Sequence, residues 1–152
     1  MFFREGDAIS GKMASAFATI NGQVIELFWA KKIEATAEKN KIDVPILGKT
    51  STPQRSAGWS GTGTLTVYYV SPIFRQMMLK YMETGEDTYF DLVSTNEQPG
   101  SAAGTQAMAL TGCNIDSVML TMFDVSSDDM LEEEIPFTFS GANMITSFNE
   151  LS

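Results

Sequence analysis

The stretch VIELFWAKKIEATAEK, residues 24–39, decides the fold class. Its odd positions read Ile25, Leu27, Trp29, Lys31, Ile33, Ala35 and Ala37, and its even positions Glu26, Phe28, Ala30, Lys32, Glu34, Thr36 and Glu38. Ala, Lys and Glu each favour helix taken one residue at a time. A period of two held over so long a run is instead the mark of a strand whose two faces differ. Lys39, Asn40 and Lys41 then supply a turn, after which Ile42, Val44 and Ile46 alternate with Asp43 until Gly48. The reading is a long hairpin.

A typical strand has about five to six residues, so part of this hairpin must project beyond its own core. A projecting hairpin carries unpaired backbone edges that need another chain to cover them. The same hairpin of a neighbouring copy is the economical cover, and repeating that contact head to tail closes a ring or continues as a filament. Glu26, Lys32, Glu34, Thr36 and Glu38 share one face, with three carboxylates against one ammonium. If that face lines a channel, it repels phosphate and lets DNA slide without sticking.

Working outward, residues 49–63 are rich in Gly, Ser, Thr and Pro, which predicts a long surface loop carrying an unusual Trp59. Leu65, Val67 and Tyr69 alternate with Thr64, Thr66 and Tyr68, a half-buried strand. Ser71 and Pro72 start a helix over residues 72–84 as N-cap and first helical residue, and Gly85 closes it. Phe74, Met77, Met78 and Tyr81 form its packing stripe, which leaves Arg75, Gln76 and Lys80 on an outer face free for a partner. A strand is predicted over 87–94 and a loop over 95–104. The run 105–124 alternates with phase switches, the first at Gly112, a natural bulge position. An acidic stretch with Asp128, Asp129, Glu132, Glu133 and Glu134 precedes the strand of Ile135, Phe137 and Phe139. The sum is one mainly β domain with one helix packed on it, a sandwich or barrel.

With 152 residues, 43% hydrophobic and 19% charged, the chain is sized and composed for one core. Its net charge of −9 opposes any phosphate-gripping surface. The single cysteine, Cys113, rules out an intrachain disulfide and reads as a small core residue. No stretch nears the roughly 20 apolar residues of a membrane span, and the first twelve residues lack a signal-peptide pattern, so a cytoplasmic origin and no membrane contact are expected. There is no histidine for a nucleophile–base pair, no calcium-loop pattern in the acidic stretch, and no P-loop lysine beside Gly58, Gly61 and Gly63. No enzyme, metal or cofactor is therefore expected.

In the order of its features the chain resembles the tail tube proteins of contractile-tailed phages and of defective-phage (PBSX-like) particles of Gram-positive bacteria. The resemblance spans nearly the whole chain. It rests on Ile46-Leu47-Gly48-Lys49-Thr50, Gly61-Thr62-Gly63-Thr64-Leu65-Thr66, Tyr68-Tyr69-Val70 running into Ser71-Pro72-Ile73-Phe74-Arg75, and Thr84-Gly85-Glu86-Asp87-Thr88-Tyr89-Phe90-Asp91. Leu131-Glu132-Glu133-Glu134-Ile135-Pro136-Phe137-Thr138-Phe139 resembles the closing strand.

The resemblance implies a β-sandwich or barrel subunit with a projecting hairpin and a flanking helix, stacked as hexameric rings around a lumen. The N-terminal arm, residues 1–17, and the loop at 49–60 would touch the adjacent ring, with Phe2, Phe3, Arg4 and Trp59 as anchors. Sheath, baseplate and tail terminator proteins are the implied partners, and DNA the implied traveller through the lumen. Two other readings stand beside this one. The first is a monomeric β-barrel holding an apolar ligand against Met108, Phe137 and Phe139; the second is the tube of a related protein-injection system.

Overall fold

A computed structural model describes residues 14–27, 30–69, 72–97, 104–126 and 130–146. Phe2, Phe3, Arg4 and the rest of 1–13 lie outside the described residues, as do Phe28, Trp29, Ser71, Asp128 and Asp129.

The strands are β1 (Ala14–Ile20), β2 (Gln23–Glu26), β3 (Ala30–Asp43), β4 (Gln54–Tyr68), β5 (Phe90–Glu97), β6 (Thr105–Ile115), β7 (Glu132–Phe139) and β8 (Gly141–Thr146), with one helix, α1 (Ile73–Thr84), between β4 and β5. All pairings are antiparallel, in the order β2-β1-β5-β6-β7-β4-β3, and β8 also lies on β6. Residues 14–17 thus belong to the sheet, paired along β5, which shortens the expected N-terminal arm.

The sheet turns back on itself at a corner. β6 pairs with β8 up to Thr111↔Gly141 and with β7 at Asn114↔Thr138 and Ile115↔Phe137, so β7 and β8 act as one strand bent at Ser140. Gly112 sits on the β6 side of that corner with φ 64°, and a Cβ there would lie 2.1 Å from Ser140 Oγ. The register against β5 slips between Phe90 and Leu92, so Gly112 belongs to the bulge its position suggested. The extra residue lets one long strand serve two halves of the sandwich.

Between those halves lies one core of Ala18, Leu65, Val67, Phe74, Leu92, Cys113, Ile135 and Phe137, each essentially sealed from solvent. Phe137 and Phe139 are therefore packing residues, with ring centroids 6.5 Å apart, and Met108 lies against the same cluster. Cys113 is fully buried, its Sγ donating weakly to Leu110 O at 3.6 Å, and burial pushes the thiol up to about 12. A disulfide-exchange reagent at pH 8 should label native Cys113 no faster than the protein unfolds, and label it at once in denaturant; rapid native labelling would contradict this burial.

The strand of residues 24–39 is two strands. β2 ends at Glu26, and buried Leu27 donates to Ala16 O at 2.9 Å while accepting from Ala30 N–H at 3.0 Å. The chain turns there from one edge of the sheet to the other. Alternation survives this break because both strands aim their odd residues Ile25 and Ile33 at the same core. An irregularity between Ala30 and Lys32 resets the phase.

The helix begins at Ile73 with Pro72, not Ser71, in the capping position and no side-chain cap, and Gly85 ends it at φ 75° with its N–H on Tyr81 O. Phe74 and Met77 are buried, the Phe74 ring 5.7 Å from that of Phe90. Tyr81, placed in the packing stripe by its spacing, is exposed instead. The following strand starts three residues later than predicted, at Phe90, and runs through Glu97 into the expected loop.

Candidate functional site

The feature that sets this subunit apart is the β3–β4 hairpin. Its turn is not at 39–41: β3 continues through Lys39, Asn40 and Lys41 to Asp43, and the chain reverses within 44–53, closed by Val44 N–H on Pro53 O at 2.8 Å. Most of the loop expected over 49–63 is the return strand β4. Its glycines serve packing. A Cβ on Gly61 would fall 2.5 Å from the Phe139 ring, and one on Gly63 would fall 2.5 Å from the Phe137 ring and 2.7 Å from Glu34 O. Glycine in a strand marks such close approach. Gly58, at φ 100°, sits where the register slips between Lys39 and Lys41.

β7 accompanies β4 only as far as Phe139↔Gly61. Beyond that level, residues 38–43 and 54–60 have only each other as strand neighbours among the described residues. They form a two-stranded ribbon about 20 Å long at the usual rise per residue. An isolated ribbon of this kind is marginally stable in water. Among the described residues β3 ends the strand order, so its outer edge has no strand neighbour there over its full length.

Direct pairing puts Lys32, Glu34, Thr36 and Glu38 opposite Thr66, Thr64, Thr62 and Ser60, while Ile33 meets Leu65 on the core side. β7 adds Glu134, Pro136 and Thr138 to the polar side, beside Thr66, Thr64 and Thr62. That side is mostly hydroxyls and carboxylates, exposed along Lys32, Glu34, Thr36 and Glu38, with Thr66 buried at its inner end. Lys32 lies 3.2 Å from Glu34. Glu26 does not join this row: it stands on β2, the opposite edge strand, opposite Phe17. It meets Lys32 only around a cleft of about 450 Å³ whose other lining includes Ala14, Leu27, Ile33 and Asn96.

Trp59 is on a strand and not in a loop, opposite Lys39, 47% exposed and with its ring 6.0 Å from that of Phe139. Further out, Ile42, Val44, Ile46 and Leu47 are exposed around the turn.

The outer face of α1 differs from its prediction in one residue. Gln76 and Lys80 are exposed, Lys80 3.4 Å from Glu86, and Leu79 and Met82 are exposed with them. Arg75 instead turns inward. Its Nη1 donates to Glu133 Oε2 at 2.8 Å, and the guanidinium stacks over the Tyr69 ring at 4.3 Å. Glu133, placed by the sequence in the acidic stretch ahead of the strand, has a side chain only 1% exposed. Strand alternation decides this: Glu133 shares the inward phase of β7 with Ile135, Phe137 and Phe139. Burial raises the Glu133 carboxyl above its ordinary value, with Arg75 pulling the other way. Its Oε1 has no hydrogen-bond partner among the described residues. Sequence spacing contained the signal for Glu133, since it lies two residues before Ile135; nothing in the sequence pointed to Arg75 as its partner.

Among the described residues no group of His, Cys, Asp and Glu side chains is arranged to hold a metal, and no helix is long and apolar enough to cross a membrane.

The family described as phage tail tube protein matches residues 1–146 of this chain. Over 139 residues the chain is 38% identical to the phage-like element PBSX protein XkdM of Bacillus subtilis (strain 168), covering 91% of each. Its fold is similar to that of a chain in the cryo-EM structure of the anti-feeding prophage (AFP) baseplate, with a TM-score of 0.70 at 11% identity, covering 95% of this chain and 97% of that one. It is similar also to the SPP1 tail tube, with a TM-score of 0.62 at 10% identity over 90% of this chain and 78% of that one. The chain belongs to the phage tail tube protein family.

Proposed function

We propose that this protein does its work by assembly, closing into rings, six copies to a ring, that stack into a hollow tail tube. The observation that carries the reading is the ribbon at the end of β3 and β4: one wet face, one half-covered aromatic face and an edge with no described strand neighbour, a marginally stable surface that another copy would stabilise by covering it. In a ring each β3 edge meets the next copy, and the row Lys32, Glu34, Thr36 and Glu38 faces the lumen. Glu134 brings that row to three carboxylates against one ammonium. Such a lining holds water and repels phosphate, so DNA, or ions in a phage-derived bacteriocin, passes without binding.

Trp59 anchors a contact between copies, and residues 1–13, which join the fold at Ala14, reach toward the adjacent ring with Phe2, Phe3 and Arg4. The outer face of α1, with Gln76, Leu79, Lys80 and Met82, is the surface offered to a contractile sheath. Baseplate and terminator proteins cap the two ends of the tube, which is built in the host cytoplasm. The role is structural, with no chemistry.

Negative-stain electron microscopy and sedimentation of the concentrated protein test this. Hollow tubes or rings are expected, with Trp59→Ala reducing their number or length by at least tenfold while the melting temperature of the subunit stays near wild type. A chain that remains monomeric under every condition would overturn the reading.

A further inference from the structure

The charges of the described residues are not spread evenly over the subunit. Of the eight described cations, Lys31, Lys32, Arg75 and Lys80 each lie within 4 Å of a carboxylate. The other four, Lys39, Lys41, Lys49 and Arg55, take part in no ion pair among the described residues, and all four stand on the hairpin end. The one acid between them, Asp43, accepts a hydrogen bond from Gln54 Nε2 at 3.1 Å. In a chain of net charge −9 this end is basic, and it is also where Ile42, Val44, Ile46 and Leu47 are exposed.

The complementary surface is at the other end. The segment 116–126 between β6 and β7 exposes Met119, Leu120, Phe123 and Val125, carries Asp116 and Asp124, and contains no Lys or Arg. Asp116 N–H donates to Pro136 O at 2.8 Å, and beyond the segment Leu131 O accepts from Tyr69 N–H at 2.9 Å. The second tie lies at the Tyr68↔Glu132 end of the sheet, and the first midway along β7, where Pro136 faces Thr64. The hairpin turn begins beyond Asp43↔Gln54, roughly 30–45 Å from these two ties along β4 at the usual rise per residue.

We infer that the basic, apolar hairpin end of one copy docks on the acidic, apolar 116–126 segment of a second copy, the two surfaces mating head to tail. Exposed apolar groups of this number mark an interaction surface, and opposite charge around them fixes which surface is the partner. Because the mating surfaces lie at opposite ends of the long axis, the contact is heterologous and propagates along that axis. Each copy uses one of each. The inference rests on the tube reading and adds to it the identity of the two mating surfaces.

Cysteine cross-linking separates the two ideas, because buried Cys113 does not compete. Tubes of a Leu47→Cys/Phe123→Cys chain, mildly oxidised, are expected to give a ladder of covalent oligomers, and a mixture of the single variants to give dimers joining the two different variants. Charge supplies a second arm. K41E/K49E should lower the yield of tubes at least tenfold, and D116K/D124N in the same chain should restore most of it, with circular dichroism confirming that every variant is folded. Asparagine at 124 retains the oxygen that accepts from Ser126. Tubes that assemble but yield only 47–47 or 123–123 links, or that ignore the charge reversal, would overturn the pairing and leave the tube standing. A wild-type chain that never assembles would remove both.

Discussion

Phe137→Ala is expected to destabilise the subunit by about 3–5 kcal/mol, the usual cost of emptying a buried aromatic site. A domain's total stability is only about 5–15 kcal/mol, so this single change removes a large part of it. At roughly 2–4 °C per kcal/mol for this size of protein, the melting temperature should fall by about 10–15 °C. Phe137 is the right residue to test because its ring does two things at once. It fills the centre of the core, and it lies on Gly63, where a Cβ would come within 2.5 Å.

The converse substitution, Gly63→Ala, is expected to cost about 2–3 kcal/mol by overpacking. Phe137→Leu in the same chain should rescue it only in part, because Glu34 O, a backbone atom 2.7 Å from the new methyl, cannot move without distorting β3. Urea unfolding of dissociated subunits measures all three. A Gly63→Ala protein as stable as wild type would mean that the strand is not held so close to Phe137.

Arg75→Met is expected to cost about 3 kcal/mol at pH 8 and far less at pH 5, because it leaves the Glu133 carboxylate buried without its partner. The direction with pH follows from linkage. Burial holds the Glu133 carboxyl above its unfolded value, so the stability linked to its protonated form is fully present below that value, about 4.3, and is lost as pH rises through the folded pKa. Removing Arg75 leaves the upward pull of burial unopposed. The melting temperature of the variant relative to wild type should therefore drop progressively between pH 5 and pH 8. Adding Glu133→Met should flatten that dependence and recover stability, as apolar replacements of buried pairs often do. A deficit that is the same at both pH values would mean that Arg75 acts through contacts such as its stacking on Tyr69 and not through the Glu133 carboxylate.

Several elements were legible because one face of each is dry. Leu65 and Val67 alternate with threonine since β4 has the core on one side there, and Ile135, Phe137 and Phe139 alternate for the same reason. The helix was legible from the spacing of Phe74 and Met77 and from Gly85. The hairpin turn was not. Past Ala37 both faces of the ribbon meet water, so Lys39, Asn40 and Lys41 are as polar as a turn would be, and no period marks them as strand. The β4 glycines misled for a second reason: local propensity assigns Gly, Ser and Thr to a loop, whereas here two phenylalanine rings from β7 require the space. Glu133 and Arg75 show a third limit, in that a charged residue's surroundings depend on an element 58 residues away.

By itself the sequence determined the fold class, the presence of a long hairpin and one helix, and the family, because these rest on local periodicity and on motifs in order along the chain. The tertiary structure alone decided where the hairpin turns, which side of it is dry, why glycine must occupy Gly61 and Gly63, and which acid is buried. Each of those depends on which residues face one another across the sheet. That pairing is set by packing between distant segments, which local pattern does not encode.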